Sequence, residues 1–164
     1  MTCSPEDYGE NYKAHLLEQY KLYVEMADRV SARRQNSNSF FLSVNTAIIA
    51  LVGYVNFGSK TTINFYWFTS LTGIVLCFIW YRLVRSYKDL NSAKFKVVHE
   101  LEKELPAAPY GLEWEKVGKG KNPKLYLPFT HIEKIIPWVF LMFHVLVFVR
   151  SISGFSIIKW IVRK

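Results

Sequence analysis

From Phe40 to Val84 the chain sets two long apolar runs either side of one short polar break. The first reads FFLSVNTAIIALVGYVNF over 40–57, the break reads GSKTTIN over 58–64, and the second reads FYWFTSLTGIVLCFIWYRLV over 65–84. Each run of about 18–20 residues makes a helix of roughly 27–30 Å, close to the hydrocarbon thickness of a bilayer. A helix in a soluble core shows a polar face every 3.6 residues, whereas these runs are apolar nearly all round. The pattern predicts a transmembrane helical hairpin over 40–84.

The pattern changes on both flanks. Ser4-Pro5-Glu6-Asp7 has the chemistry of a helix start, with a capping hydroxyl, a proline at the first turn and acids at the positive end of the dipole. Beyond it Tyr12, Leu16, Tyr20, Tyr23, Ala27 and Val30 recur at steps of three or four. They predict an amphipathic cytosolic helix within 1–39 whose apolar stripe packs on another helix or a neighbouring subunit. The polar cluster Gln35–Ser39 either breaks this helix or caps the membrane segment. After the hairpin a second stripe runs through Leu83, Tyr87, Leu90, Val97, Leu101 and Leu105, and Pro106 ends it. These arms predict an antiparallel stalk, and 85–134 comprises the stalk helix as far as Leu105 and then a loop-like stretch over 106–134 punctuated with prolines and glycines. Ile135 to Lys164 is a C-terminal hydrophobic helix. Its preferred reading is a third span reaching past Arg150, and its alternative is a re-entrant or interfacial helix. The fold class expected is an all-α membrane protein, with long cytosolic helices on a narrow hairpin that splay into a cone-shaped homo-oligomer.

Charge orients the hairpin. The chain carries 21 Lys and Arg against 13 Asp and Glu, a net +8. Arg29, Arg33 and Arg34 flank one end, Arg82, Arg85, Lys88, Lys94 and Lys96 flank the other, and the turn holds only Lys60. The positive-inside rule then puts both ends and the stalk in the cytoplasm of the bilayer's host cell. Residues 5–35 are polar, so no secretory leader is expected and the hairpin itself directs insertion. Cys3 and Cys77 fall in different environments and show neither a disulfide nor a metal-ligand pattern.

Catalytic chemistry is not expected. His15, His99, His131 and His144 are scattered, and no hydrolase triad, zinc or phosphate-loop motif occurs. No metal or cofactor is implied. Polar residues at bilayer depth are more informative. Asn45 predicts either an interhelical hydrogen bond or a pore-facing amide, and Ser43, Thr46 and Ile49 are its companions in a candidate pore lining. Thr69, Ser70, Thr72 and Gly73 predict close helix packing. The loop KVGKGKNPK, with Lys116, Lys119, Lys121 and Lys124 around Gly118 and Gly120, can cradle phosphate or meet lipid headgroups. Together with Arg29, Arg33 and Arg34 it is the candidate site for an anionic ligand.

Two long strings, YVEMADRVSARR running into NSFFLSVNTAIIALVG, and GKGKNPKLYLPFTHIEKIIPWVF, resemble small bacterial membrane effectors of antiphage defence, the SLATT-type families. Among these the likeness is to the transmembrane effectors of Hailong systems. The resemblance implies an ion channel of the bacterial inner membrane. Its partners would be an anionic nucleotide or single-stranded DNA oligomer and the nucleotidyltransferase that makes it. A lone hairpin cannot enclose water, so a pore needs a homo-oligomer, for which four copies is one closure. The competing reading is a non-conducting anchor that recruits a cytosolic partner through the stalk.

Overall fold

A computed structural model of the chain describes residues 4–58, 63–126 and 128–162. Among the described residues every regular element is helical: α1 (Pro5–Tyr8), α2 (Tyr12–Gly58), α3 (Ile63–Glu102), α4 (Pro109–Lys116), a short left-handed turn over Gly118–Gly120, and α5 (Phe129–Val162). The break residues around Lys60, together with Cys3, Leu127, Arg163 and Lys164, lie outside the described residues. Three helices carry stretches long and apolar enough to cross a membrane, those within Tyr12–Val55, Tyr66–Glu102 and His131–Ile152. The chain is thus an all-helical membrane protein with three candidate spans.

Two compact units form. One gathers Met1–Arg34 with Tyr87–Pro128, and the other gathers Gln35–Ser86 with Phe129–Lys164. In the first, Ser4 caps α1 by accepting from the Asp7 N–H at 3.2 Å, as its sequence proposes. The helix does not run on, however. Gly9, at φ 88°, turns the chain before α2 begins at Tyr12. From there the stripe Tyr12, Leu16, Tyr20, Tyr23, Ala27 and Val30 faces inward, with Leu16, Ala27 and Val30 buried. The Gln35–Ser39 cluster neither breaks nor ends α2, which continues through it.

The facing stripe of α3 is only in part the one its apolar residues suggest: Leu83, Tyr87, Leu101 and Leu105 are half-buried. Leu90 and Val97 are exposed, while Lys94, Val98 and Glu102 are buried. Two polar side chains displace the register. Lys94 lays its ammonium 4.7 Å over the Tyr23 ring, where the ring face stabilises a cation. Glu102 is capped from three sides. Its Oε1 accepts from the Tyr110 N–H at 2.8 Å and the Tyr20 hydroxyl at 3.2 Å. Its Oε2 accepts from the Gly111 N–H at 3.0 Å and lies 3.2 Å from His99 Nδ1. Tyr110 and Gly111 open α4 behind Pro109, and Ala108 offers no side-chain cap. Glu102 supplies that cap from α3, placing a carboxylate at the positive end of the α4 dipole. What reads as loop over 106–134 therefore contains a helix that its own sequence could not cap, and α5 starts at Phe129 instead of Ile135.

Burial pushes the Glu102 carboxyl upward, but the Tyr110 N–H, His99, the Gly111 N–H and Tyr20 outweigh it and hold the group below its usual range. Tyr20 is pushed up to about 12, by burial first and then by the Glu102 charge, and stays a donor. A carboxylate whose folded pKa lies below its unfolded value of about 4.3 stabilises the fold above that pH. That stability is lost as pH falls through the folded pKa. Glu102→Gln should therefore cost about 1–3 kcal/mol at pH 7 by leaving buried backbone donors poorly paired. It should also flatten the fall in thermal midpoint of the detergent-solubilised protein below about pH 4.3. An unchanged midpoint at pH 7 contradicts this role.

Candidate functional site

The second unit is a three-helix bundle of α2, α3 and α5, held by an apolar centre with an amide above and below it. The centre stacks Phe41 on Trp80, with centroids 5.9 Å apart and planes at 11°, and sets Phe140 against Trp80 at 6.0 Å. Val84, Leu76, Leu83 and Ile136 close around them. Trp80 is only 1% exposed and belongs to this core.

Asn38 and Asn45 lie one heptad apart on α2, so they share a face. Asn38 Oδ1 accepts from the Trp80 indole N–H of α3 at 2.9 Å. Its Nδ2 donates to Glu133 Oε1 of α5 at 2.7 Å. Asn45 repeats the arrangement. Its Nδ2 donates to the Phe41 carbonyl at 2.8 Å, which leaves Oδ1 as an acceptor. That oxygen takes the Cys77 thiol of α3 at 3.3 Å and His144 Nε2 of α5 at 3.1 Å. Each amide thus joins all three helices. The His144 ring packs where Gly73 has no side chain, and a methyl at Gly73 would overlap it. Ser70 and Ser151 are buried and return their hydroxyls to the carbonyls of Tyr66 and Phe148. Pro137, also buried, takes from α5 the N–H that would bond the Glu133 carbonyl.

Of the two readings open for Asn45, the structure realises the interhelical hydrogen bond, with no exposure of the residue in the protomer. The four candidate pore residues do not share a face. Ser43 and Thr46 are exposed, Ile49 is half-buried and Asn45 is enclosed. The reason is spacing: residues two apart on a helix point about 200° apart. Ser39, Ser43, Thr46 and Ala50, spaced four, three and four, form one exposed face of small side chains turned away from the bundle core. Arg150 is exposed on α5.

The seven basic candidates all fall in the other unit. Arg29 is exposed and bonded to Glu25 at 2.7 Å, Arg33 is exposed, and Arg34 is half-buried. Lys116, Lys119, Lys121 and Lys124 are exposed, and Lys119 reaches Glu115 at 3.3 Å. Three successive left-handed residues, Gly118 (φ 68°), Lys119 (φ 53°) and Gly120 (φ 68°), shape this loop. For Lys119 that conformation costs about 1–2 kcal/mol. Glycine is favoured at 120 by the positive φ, and a Cβ there would also press on the Trp114 ring at 3.1 Å. The loop uses the N–H of Lys121 on the Gly118 carbonyl and that of Lys124 on Asn122, so fewer backbone donors are left for phosphate than its glycines suggest.

Removing the shared acceptor should be costly in both directions. Asn45→Ala strips the partner from His144 at bilayer depth, at about 1–3 kcal/mol. Gly73→Ala overpacks the same spot, at about 1–3 kcal/mol. In a double-mutant cycle on the detergent-solubilised protein, Asn45→Ala and His144→Ala should couple by about 0.5–2 kcal/mol. Strict additivity would show that the hydrogen bond carries no energy.

No curated protein and no solved structure matches the chain. A family model does: that of the octameric membrane protein family (8xMP), over residues 17–153. The match takes in most of α2, all of α3 and α4, and α5 as far as Ser153, so it spans both polar clamps and the basic loop. It supports membrane residence and oligomerisation, with a family stoichiometry of eight where four copies had been one expectation. By the extent of that match, the chain belongs to the octameric membrane protein family.

Proposed function

We propose that this protein is an eight-copy, ligand-gated ion channel of the bacterial inner membrane, acting as the depolarising effector of an antiphage defence system. The observation that carries the reading is the division of labour on α2. Its Asn38 and Asn45 side is consumed within the protomer, while Ser39, Ser43, Thr46 and Ala50 form an exposed face of small and hydroxylated residues. Such a face is poorly matched to lipid, which favours large apolar groups like the exposed Phe68, Val75, Phe78 and Ile79 of α3. In a ring around an axis normal to the membrane it lines water or packs on its symmetry copies. Hydroxyls offer an ion weak, repeated oxygen contacts, so it can both enter and leave.

Control comes from a polyanion, a nucleotide or DNA oligomer made by a partner nucleotidyltransferase, at the cytoplasmic surface bearing Arg29, Arg33, Arg34, Lys116, Lys119, Lys121 and Lys124. Eight copies would repeat these seven cations around the axis, concentrating positive charge as no single protomer does. Binding or loss of the ligand would shift the ring between closed and open packings.

Two measurements check this. In planar bilayers, Ser43→Cys and Thr46→Cys channels should lose current on exposure to a cationic thiosulfonate, and Phe78→Cys channels should not. A purified octamer with no conductance in any ligand state contradicts the channel. Reversing Lys121 and Lys124 to glutamate should weaken binding of a short single-stranded DNA at least tenfold and lower the slope of log affinity against log salt by about 0.7 per cation lost. Unaltered binding removes these lysines from the site.

A further inference from the structure

Four of the exposed apolar side chains of the charged unit belong to one stretch of α2 and α3. Leu22 is 57% exposed and Met26 41% on α2, and Leu90 is 47% exposed and Val97 40% on α3. Around them Glu18, Lys21, Glu25, Asp89, Lys96 and Glu100 are all exposed, so this stretch lies in water and not in hydrocarbon.

Helix geometry brings the four together. The contacts Tyr23 with Lys94 and Tyr20 with Glu102 fix the antiparallel register of the two helices. In that register Leu22 is level with Val97, and Met26 with the turn holding Leu90 and Ala93. On each helix the pair lies about 100° round from the buried stripe, offset in the same rotational sense. Because the helices run in opposite directions, equal offsets fall on the same side. Leu22, Met26, Leu90 and Val97 therefore form one patch across the α2–α3 groove, with the small, exposed Ala93 at its outer edge.

We infer that this patch is the surface on which a second copy of the chain docks. The family assembles as octamers, and a closed ring needs every protomer to bury a surface on its neighbour. A lipid partner is disfavoured by the surrounding charge. Burial in the assembly also accounts for the leucine stripe of α3. Leu90 and Val97 obey helical periodicity yet are outside the protomer core, as expected of residues covered only when copies meet. The inference rests on the assembly part of the proposed function and not on conduction.

The test is the mass of the intact protein in detergent, by light scattering and native mass spectrometry. The wild type should show eight copies, and Leu22→Glu combined with Val97→Glu should drop to smaller species with helix content by circular dichroism unchanged. A second measurement does not depend on a disruptive variant. In a Cys3→Ser background, a cysteine placed at Val97 should react with a maleimide at least tenfold more slowly than one at the neighbouring, outward Lys96. Full eight-copy mass in the double variant, a single-copy wild type, or equal labelling at 96 and 97 would each overturn the assignment. An intact octamer that passes no ions would sink the channel reading and leave this surface standing.

Discussion

In hydrocarbon a polar group has no water to fall back on, and that constraint organises the membrane unit. Every amide, thiol and imidazole brought to bilayer depth must find its partner inside the protein. Asn45 meets this with two acceptor contacts from one oxygen, to Cys77 and His144, and a donor contact to its own helix. Asn38 accepts from the Trp80 indole and donates to Glu133. Because each amide touches both other helices, neither α3 nor α5 can rotate or slide without breaking a bond. Apolar side chains alone would not supply this, since lipid tails compete for them on equal terms.

The consequence reaches the opposite face of α2. With its amides turned inward, that helix presents Ser39, Ser43, Thr46 and Ala50 outward. A helix with one polar side locked to its own bundle and one small side left open is suited to stand at a symmetry axis. The charged unit follows a parallel logic with carboxylate and cation chemistry. Glu102 replaces the cap that α4 lacks, and Lys94 settles on a tyrosine ring. Both are buried polar groups that also reach across to α2, Lys94 to Tyr23 and Glu102 to Tyr20.

Much of this was legible in the residues. The hairpin, the inward stripe from Tyr12 to Val30 and the packing role of Ser70 and Gly73 follow from periodicity and side-chain size. The third helix was legible in outline, but its first turn was hidden behind Pro128. Other features were hidden for identifiable reasons. The capping of α4 depends on Glu102, which contacts Tyr110 across a turn that periodicity does not see. The stripe on α3 was legible at Leu83, Tyr87, Leu101 and Leu105, but apolar spacing marks burial without saying by what, so it also took in the exposed Leu90 and Val97 and passed over the buried Lys94 and Glu102. The candidate pore residues fall on two faces of α2 in the protomer: Asn45 stood out chemically, although its spacing from Ser43 already separated them. The one overlooked signal was Asn38: an amide seven residues before Asn45 marks a repeated clamp.

Orientation of α2 is the claim on which the proposed assembly and the proposed pore both depend. Spin labels at position 43 in the reconstituted oligomer, compared by electron–electron double resonance with labels at position 78, test it directly. The account predicts shorter label-to-label distances at 43, close to the axis, and longer ones at 78, on the lipid side. The reverse order would place α2 on the periphery and contradict it.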